Sequence, residues 1–417
     1  MKRFQIISLG IFLIGFILST PVVGAERILK LGVIGPYTGS NARVGMEIKN
    51  TALMAFENIG YKIGDYKVKL VFIDSQYDPA KATSAYSEAA EKDGVQATLC
   101  TWSSSCTLAL MDLAVKYGIP NVGCMGGAQS EIDKYNSHDK YKGLWVRCYG
   151  SLAEMALGYV DFLENSIQQG LWKPKNKKVA CFALDTEWGR TVAASLKKGF
   201  TDRGWDVVSD DFFSVTQTDF YPLMAKYKKM DPAVIAGTTS TAPLTAAFTK
   251  QAAELGIKAV MINDGMGWIG EWYKLTGSAS NYTLDMIPQF GSQASKEWAK
   301  TYEKKYGYKP GATASGLNYD NINLFIKIAN RTFEKYGKID KQKLHSVILD
   351  EVCTSKLTYG ADEGAILVKK FEYRPELGNV PVVGKDYWFL PIIQYVDGKG
   401  KVVYPPDIRE VDPVFQK

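Results

Sequence analysis

Hydrophobic positions along the chain fall into short apolar runs separated by stretches with helical periodicity. Predicted strands, most of them apolar runs, occur at 28–34, 67–74, 144–149, 178–184, 207–213, 233–236 and 259–262, and two more begin at Ala97 and Gly118. Apolar faces at helical spacing lie around 52–59, 78–92, 107–117, 152–165, 191–203, 220–229 and 243–255. Two successive series of alternating strands and helices with short loops predict two parallel sheets, each covered by helices.

The last part of the chain is less regular. Its predicted elements are an extended crossing to the first series at 284–290, helices at 295–306 and 319–336, and strand-like residues from Ala365 with turns at Asp397–Gly398 and Pro405–Pro406. Residues 350–363 have no readable pattern.

A small polar loop, Trp102 to Ser105, joins a predicted strand to the helix that follows it. Ser103 to Ser105 can cap this helix, whose first turn presents unpaired N–H groups and a partial positive charge that suit a carboxylate. After the next strand, Gly126 and Gly127 form a loop in which backbone can approach a ligand. Both loops are expected at the carboxyl edge of one sheet, where open α/β sheets bind ligands. An ordinary capped helix is the alternative interpretation.

The N-terminus has the pattern of a secretory signal. Lys2 and Arg3 precede an apolar segment at 6–18, and Val23-Gly24-Ala25 is a small-residue cleavage site. We therefore expect residues 1–25 to be removed and the mature protein to begin at Glu26. A retained membrane anchor is the alternative, although the apolar run is shorter than the roughly 20 residues of a spanning helix.

Charge and cysteine content restrict the classes of function. The formal net charge is +6, with both signs interspersed, so a nucleic-acid surface is not indicated. The chain has six cysteines and two histidines but no C-x-x-C pair, so we predict no metal site. Export permits disulfides, and a bridge within the first series is expected between two of Cys100, Cys106 and Cys124. Cys181 lies in an apolar run and is predicted to be a buried thiol.

Several short motifs occur in a characteristic order. They are Gly32-Val33-Ile34-Gly35-Pro36, Asp74 with Asp78-Pro79, the serine loop, Tyr117-Gly118-Ile119-Pro120, Trp188-Gly189 and Leu255-Gly256-Ile257. In this order the chain resembles the exported substrate-binding proteins of branched-chain amino-acid-type ABC transporters, the leucine/isoleucine/valine-binding-protein family with the type I periplasmic-binding fold. The resemblance implies two doubly wound α/β lobes, each with a parallel sheet, joined by a three-strand hinge and closing on a small ligand. The expected lobes are 26–148 with 289–355, and 149–288 with 356–417.

The resemblance also assigns roles to individual residues. It implies that Ser103, Ser104 and Ser105 bind the carboxylate of the ligand together with Gly127 and Ala128, although Ala128 lacks the hydroxyl that is usual there. It further implies that Asp264 meets the ammonium, that Trp188 forms an aromatic wall, and that Thr239 lies where a wall residue is usual. The disulfide that is usual in the first lobe is not expected, because Tyr77 stands in place of its first cysteine.

Three further aromatic residues are candidate walls of the ligand site. Trp102 can close over an apolar group, with core packing as the alternative. Tyr37 and Tyr319 are further candidates.

The predicted function is binding rather than catalysis. No G-x-S-x-G or P-loop motif occurs, and neither His138 nor His345 is evidently placed to activate a serine. We expect a periplasmic solute-binding protein without cofactor that works with ABC transporter permease subunits at the inner membrane. A receptor subunit that senses amides or aromatic carboxylates, and a secreted hydrolase, are the alternatives. Amino acids, amides and aromatic carboxylates all remain candidate ligands.

Overall fold

The computed structural model describes residues 26–268 and 272–415. The predicted signal segment, residues 1–25, lies outside this range. The described chain contains two large mixed sheets and a small two-stranded ribbon, and helices cover both faces of the two large sheets. The doubly wound α/β class predicted from the sequence is therefore confirmed.

The first sheet has six strands. They are β1 (Arg27–Gly35), β2 (Lys62–Ile63), β3 (Tyr66–Asp74), β4 (Ala97–Cys100), β5 (Asn121–Cys124) and β6 (Trp145–Arg147). Their order in space is β2-β3-β1-β4-β5-β6, and every pairing is parallel except that of β2 with β3. The carboxyl ends of β4 and β5, which carry the two candidate loops, are therefore neighbours at one edge of the sheet.

The second sheet has seven strands and the order β15-β14-β11-β10-β9-β7-β8. The strands from β7 onward are β7 (Lys178–Leu184), β8 (Asp206–Phe213), β9 (Val234–Thr238), β10 (Val260–Asp264), β11 (Leu284–Met286), the ribbon strands β12 (Tyr359–Gly360) and β13 (Lys370–Phe371), β14 (Ile392–Val396) and β15 (Lys399–Tyr404). Strands β7 to β11 are parallel, whereas β14 and β15 add an antiparallel hairpin. The hairpin turns at Asp397–Gly398, as predicted, with positive φ at both residues.

Twelve α-helices lie in the described residues. They are α1 (Ala42–Asn58), α2 (Pro79–Glu88), α3 (Ser104–Tyr117), α4 (Gln129–Ser137), α5 (Leu152–Gln168), α6 (Glu187–Asp202), α7 (Tyr221–Met230), α8 (Ala242–Glu254), α9 (Trp272–Thr276), α10 (Gln293–Tyr306), α11 (Asn318–Tyr336) and α12 (Lys341–Val347). We call the six-stranded sheet with α1–α4 and α10–α12 the first lobe, and the seven-stranded sheet with α5–α9 the second lobe.

Each sheet is buried between helices on both faces. In the first lobe, α1 and α11 pack on one face of the sheet, and α2, α3 and α4 enclose a separate apolar core that includes Leu110 and Trp145 on the other. In the second lobe, α5 and α6 pack together on one side, and an aromatic core around Phe182 and Phe248 fills the other. The apolar runs of the central strands β4, β5, β7 and β9 are therefore buried on both faces.

Three segments connect the lobes, at 148–151, 287–292 and 380–391. The residues before the third segment hydrogen-bond to the first lobe. Backbone N–H groups of residues 366–368 donate to Asp320 of α11, and the Asn379 side chain donates to the carbonyl of Trp145 at 3.0 Å. The predicted lobe boundaries remain predictions, and these bonds favour placing residues 366–379 with the first lobe.

The expected disulfide is wrong, because all six cysteines are buried free thiols. Cys100 faces the core shared with α11, whereas Cys106 and Cys124 face the core beneath α2, α3 and α4. Cys124 contacts the Thr107 hydroxyl at 3.3 Å rather than another sulfur. Cys181 is fully buried, as predicted. Across the described residues, helices long and apolar enough to cross a membrane are absent.

Candidate functional site

A narrow cleft with room for about one water molecule lies between the two lobes. It is formed by residues that follow strands of both sheets, by Tyr149 of the first connecting segment and by Thr313, which lies just before α11. The lining residues are Tyr77, Trp102, Ser103, Ser104, Ser105, Met125, Tyr149, Thr186, Trp188, Ser240, Trp268 and Thr313. The cleft therefore lies where the carboxyl ends of the parallel strands predict a ligand site.

The serine loop forms the first-lobe wall of the cleft, at the N-terminus of α3. Ser103 is the N-cap residue, and its hydroxyl accepts a hydrogen bond from the Cys106 N–H. The Ser104 hydroxyl accepts from the N–H groups of Gly127 and Ala128 at 3.1 and 3.3 Å. Ser104 therefore joins the two predicted carboxylate loops to each other, and Ser105 together with the first-turn N–H groups is left to meet a ligand.

Four non-glycine residues at the cleft have positive φ. Cys100 and Thr101, immediately before the serine loop, have φ values of 64° and 143°, and Tyr77 and Ser240 have φ values of 60° and 47°. L residues rarely adopt this region, and each such residue costs on the order of 1–3 kcal/mol. The surrounding structure holds these residues in place, which is typical of functional sites.

Aromatic rings form most of the remaining wall. Trp188 and Trp268 contact each other edge to face with ring centroids 4.6 Å apart, and Tyr149 lies 5.6 Å from Trp188 and 6.0 Å from Trp268. Trp102, from the first lobe, lies 6.0 Å from Trp268. This arrangement suits a flat apolar group, because such rings stack well on one another and on similar ligands.

Three polar atoms in the cleft lack partners. Tyr149 Oη, Trp268 Nε1 and Thr313 Oγ1 are buried and make no hydrogen bond with any other part of the described chain. Buried polar groups in native proteins are normally hydrogen-bonded, and an unsatisfied group costs about 1–3 kcal/mol. The atoms come from the first connecting segment, the second lobe and the first lobe respectively, so one ligand in the cleft can reach groups from both lobes.

The lobes also touch each other directly around the cleft. The Ser130 hydroxyl donates to Glu187 at 2.8 Å, and the Gln129 N–H donates to the Thr191 hydroxyl at 3.2 Å. Both contacts join the start of α4 to α6. The structure is therefore a closed form of the two lobes.

Several residues predicted for the site do not line the cleft. Asp264 is buried behind the wall, where its Oδ1 accepts from the Tyr159 hydroxyl at 2.7 Å and its Oδ2 has no partner among the described residues. Burial and the neighbouring Asp285 raise the pKa of Asp264 well above its usual value. Thr239 is also buried behind the wall, where its hydroxyl lies 2.6 Å from that of Thr245.

The two predicted tyrosine walls lie farther from the cleft. The Tyr37 hydroxyl donates to the Val33 carbonyl at 2.8 Å, and Tyr319 packs against Trp298 and accepts from the Asn58 side chain. Gly127 and Ala128 support the serine loop from behind through Ser104. The structure therefore brings together the serine loop, Trp102 and Trp188.

The two histidines lie away from the cleft lining. His345 Nε2 contacts the Lys142 carbonyl at 2.7 Å, and His138 is exposed after α4. Neither is placed as a base for the cleft serines.

Other cleft residues were not predicted for the site. They are Tyr77, Met125, Tyr149, Thr186, Ser240, Trp268 and Thr313. Tyr77, Thr186 and Ser240 follow predicted strands and could have been found by applying the strand-end rule to every strand. Trp268 lies in a turn beyond the end of β10, and Thr313 follows no strand. The position of each depends on distant residues.

The sequence matches the profile of the family described as periplasmic binding protein over residues 28–349. The chain belongs to the periplasmic binding protein family. Among its relatives is the Leu/Ile/Val-binding protein homolog 7 of Brucella suis biovar 1, which is 23% identical over 397 residues covering 91% of this chain and 92% of the relative.

Solved structures share the fold at low sequence identity. A putative branched-chain amino acid ABC transporter protein from Silicibacter pomeroyi superposes with a TM-score of 0.75 at 16% identity, covering 94% of this chain and 99% of that one. A solute binding protein of an ABC transporter from R. palustris, in complex with benzoate, superposes with a TM-score of 0.71 at 17% identity, covering 90% and 95%.

Proposed function

We propose that the protein is the exported solute-binding component of an ABC importer and that it captures a small carboxylate with a flat apolar body between its lobes. The unpartnered polar atoms in an aromatic cleft carry this proposal, because a ligand would satisfy them. Binding energy drawn from both lobes favours the closed form over the open one.

The two ends of the cleft suit different parts of such a ligand. The first turn of α3 and the Ser105 hydroxyl offer hydrogen-bond donors and a partial positive charge to a carboxylate. Trp102, Trp188 and Trp268 offer ring faces and edges to an apolar body. The R. palustris protein that holds benzoate supports an aromatic carboxylate as the ligand class.

An α-amino acid is the second candidate ligand. The unpartnered Oδ2 of Asp264 favours it, because an ammonium would supply a partner. The name of the Brucella relative supports the same class. However, Asp264 is 2% exposed and lies behind the lining, so an ammonium reaches it only if the Trp268 wall moves.

Export and partners follow from the same proposal. The signal segment at 1–25 and the periplasmic binding protein family support a periplasmic protein that delivers ligand to permease subunits. A sensing receptor on the same fold is the alternative role. Loss of ligand uptake after gene deletion would support transport, whereas intact uptake would support sensing.

Calorimetry with a panel of benzoate, 4-hydroxybenzoate, benzamide and leucine tests the ligand class. We expect the two carboxylates to bind, and Ser105→Ala to weaken them by about 1.5–3 kcal/mol through the lost bond to a charged group. Ser84→Ala, at an exposed position of α2, is the matched control. Binding of leucine alone would favour the amino-acid candidate, and the absence of binding to every small organic acid would refute the proposal.

A further inference from the structure

Arg147 is a fully buried cation close to the glycine loop (Gly126 and Gly127), which in turn contacts the serine loop. It is the last residue of β6 and pairs with Cys124, the last residue of β5, just before the glycine loop. Its backbone is fixed on both sides, because its N–H donates to the Asn379 carbonyl and its carbonyl accepts from the Tyr373 hydroxyl. The position of its side chain is therefore set by the fold and not by the ligand.

The guanidinium of Arg147 has only one hydrogen bond within the described chain. Nη2 donates to the Gly150 carbonyl at 3.2 Å, whereas Nε and Nη1 are buried without partners. An uncompensated buried charge is costly, since desolvation of an ion costs several kcal/mol. Proteins normally retain such a charge only where another charge or a hydrogen-bond network compensates it.

Glu131 is a buried acid on which the charge of Arg147 acts, but the two side chains form no ion pair within the described residues. Its carboxylate lies under the glycine loop, so that a Cβ on Gly126 would be 2.3 Å from Oε1, and it accepts from the Ala128 N–H at 3.3 Å. Burial raises the pKa of Glu131, and the charge of Arg147 opposes this shift. Glu131 therefore compensates Arg147 only incompletely.

The field of Arg147 also reaches the cleft. Its charge lowers the pKa of Tyr149, which lines the cleft, against the larger opposing effects of burial, Asp264 and Asp285. The loop at 125–128 lies between Arg147 and the serine loop, and it excludes water from the space between them, since Gly126, Gly127 and Ala128 are all buried. A carboxylate at the serine loop would feel a unit positive charge through this low-dielectric layer.

We propose that Arg147 is a specificity-determining residue whose buried charge makes the serine loop prefer a carboxylate over the corresponding neutral amide. The inference rests on the proposed function, because it assumes that the ligand places an anionic group at the serine loop. Arg147 acts without touching the ligand, so its effect depends on ligand charge and not on ligand shape.

The test compares matched pairs of carboxylate and amide: benzoate with benzamide, and 4-hydroxybenzoate with 4-hydroxybenzamide. The measured quantity is the ratio of their affinities by calorimetry, in the parent and in variants of the full mature chain. Arg147→Gln removes the charge and is expected to lower the ratio on the order of tenfold, as a unit charge at several ångströms and an effective dielectric constant of about 20 would. Arg147→Met is a second neutral variant in case the first does not fold.

Two variants control for a structural effect. Arg147→Lys keeps the charge and is expected to keep the ratio within about threefold of the parent. Glu131→Gln alters a buried polar group of the same cluster without removing positive charge, so the ratio is expected to stay or to rise.

Each outcome decides the question. Equal losses of carboxylate and amide affinity in Arg147→Gln would overturn the inference while leaving the proposed function intact, since this is what loss of loop structure alone would give. An equal fall of the ratio in Glu131→Gln would overturn it as well. If the parent binds none of the carboxylates, the proposed function fails and the inference with it.

Discussion

Gly127 is the position where a single methyl group should block closure of the lobes. A Cβ on Gly127 would lie 2.7 Å from Trp188 Cζ3 and 3.2 Å from both Leu152 Cβ and Tyr149 Cδ1. Trp188 and Leu152 belong to the second lobe, whereas Gly127 belongs to the first. The added methyl therefore conflicts with the closed form and leaves the packing within each lobe unchanged.

The size of the effect follows from the overlap. The nearest contact would be about 0.7 Å shorter than the 3.4 Å at which ordinary carbon contacts begin. Forcing an extra methyl into a packed site costs typically 1–3 kcal/mol. If that cost falls only on the closed form, ligand affinity should fall by about 5- to 150-fold. The φ of Gly127 lies outside the left-handed region, so alanine adds no backbone strain there.

Two measurements on Gly127→Ala test this prediction: ligand affinity by calorimetry and the contraction on ligand binding by small-angle scattering. We expect weaker binding of the tightest ligand of the panel, a smaller contraction when ligand is added, and an unchanged unfolding midpoint. Gly158→Ala, on α5 within the second lobe, is the matched control, because its Cβ would meet only the flexible end of the Met286 side chain, at 3.2 Å. Trp188→Phe in the Gly127→Ala background should restore part of the lost affinity, relative to Trp188→Phe alone. Parent-like affinity and contraction in Gly127→Ala would refute the steric argument.

The remaining predictions concern closure, pH and the cysteines. Ser130→Ala removes the bond to Glu187 and should weaken ligand binding about fivefold without changing the unfolding midpoint, since a partly exposed bond contributes about 1 kcal/mol; unchanged affinity by calorimetry would contradict this. Burial raises the pKa of Asp264 in the folded protein above its value in the unfolded chain. As the pH rises above about 4, Asp264 ionises in the unfolded chain but stays protonated in the folded protein, so the parent loses stability. The stability of Asp264→Asn relative to the parent should therefore rise between pH 4 and 7 in urea denaturation, and a constant difference would count against it. All six thiols are buried, so the folded protein should react slowly with a thiol reagent, and all six thiols should react when it is unfolded. Fewer than six reactive thiols would indicate a disulfide.

Much of the fold could be predicted from local pattern, because a strand buried on both faces must be an apolar run. The runs at 28–34 and 178–184 became β1 and β7 for this reason. Helix α4 was missed, since it has few apolar positions and buries only Glu131 and Tyr135. The burial of α4 depends on the glycine loop before it, and this contact leaves no periodic pattern in the sequence of the helix.

The serine loop was the predictable part of the site, because its residues both cap a helix and end a strand. The role of Ser104 was not predictable in detail. Its hydroxyl is occupied by the N–H groups of Gly127 and Ala128, and that contact joins residues more than twenty positions apart. The predicted position of Asp264 at a strand end was correct, but its side chain lies behind the cleft wall, because the Tyr159 hydroxyl of α5 holds it there.

Two buried carboxylates explain why the rest of the cleft could not be found from local sequence. Asp285 accepts from the N–H groups of Gly265 and Gly267 at 2.8 and 2.7 Å, and so fixes the turn that presents Trp268. Glu47, on α1, accepts from the Gly311 N–H at 2.8 Å and the Ser315 hydroxyl at 2.9 Å, and so fixes the turn that presents Thr313.

Each turn is therefore shaped by an acid that is distant in sequence and that never enters the cleft. Asp285 lies in the second lobe and Glu47 in the first. The two turns present their donors, Trp268 Nε1 and Thr313 Oγ1, from opposite lobes, and both donors are left unpartnered when the lobes close. Burying these donors without partners costs the ligand-free closed form free energy, which a ligand that accepts from both would recover. The same geometry that hides the site from sequence analysis thus makes closure depend on the ligand.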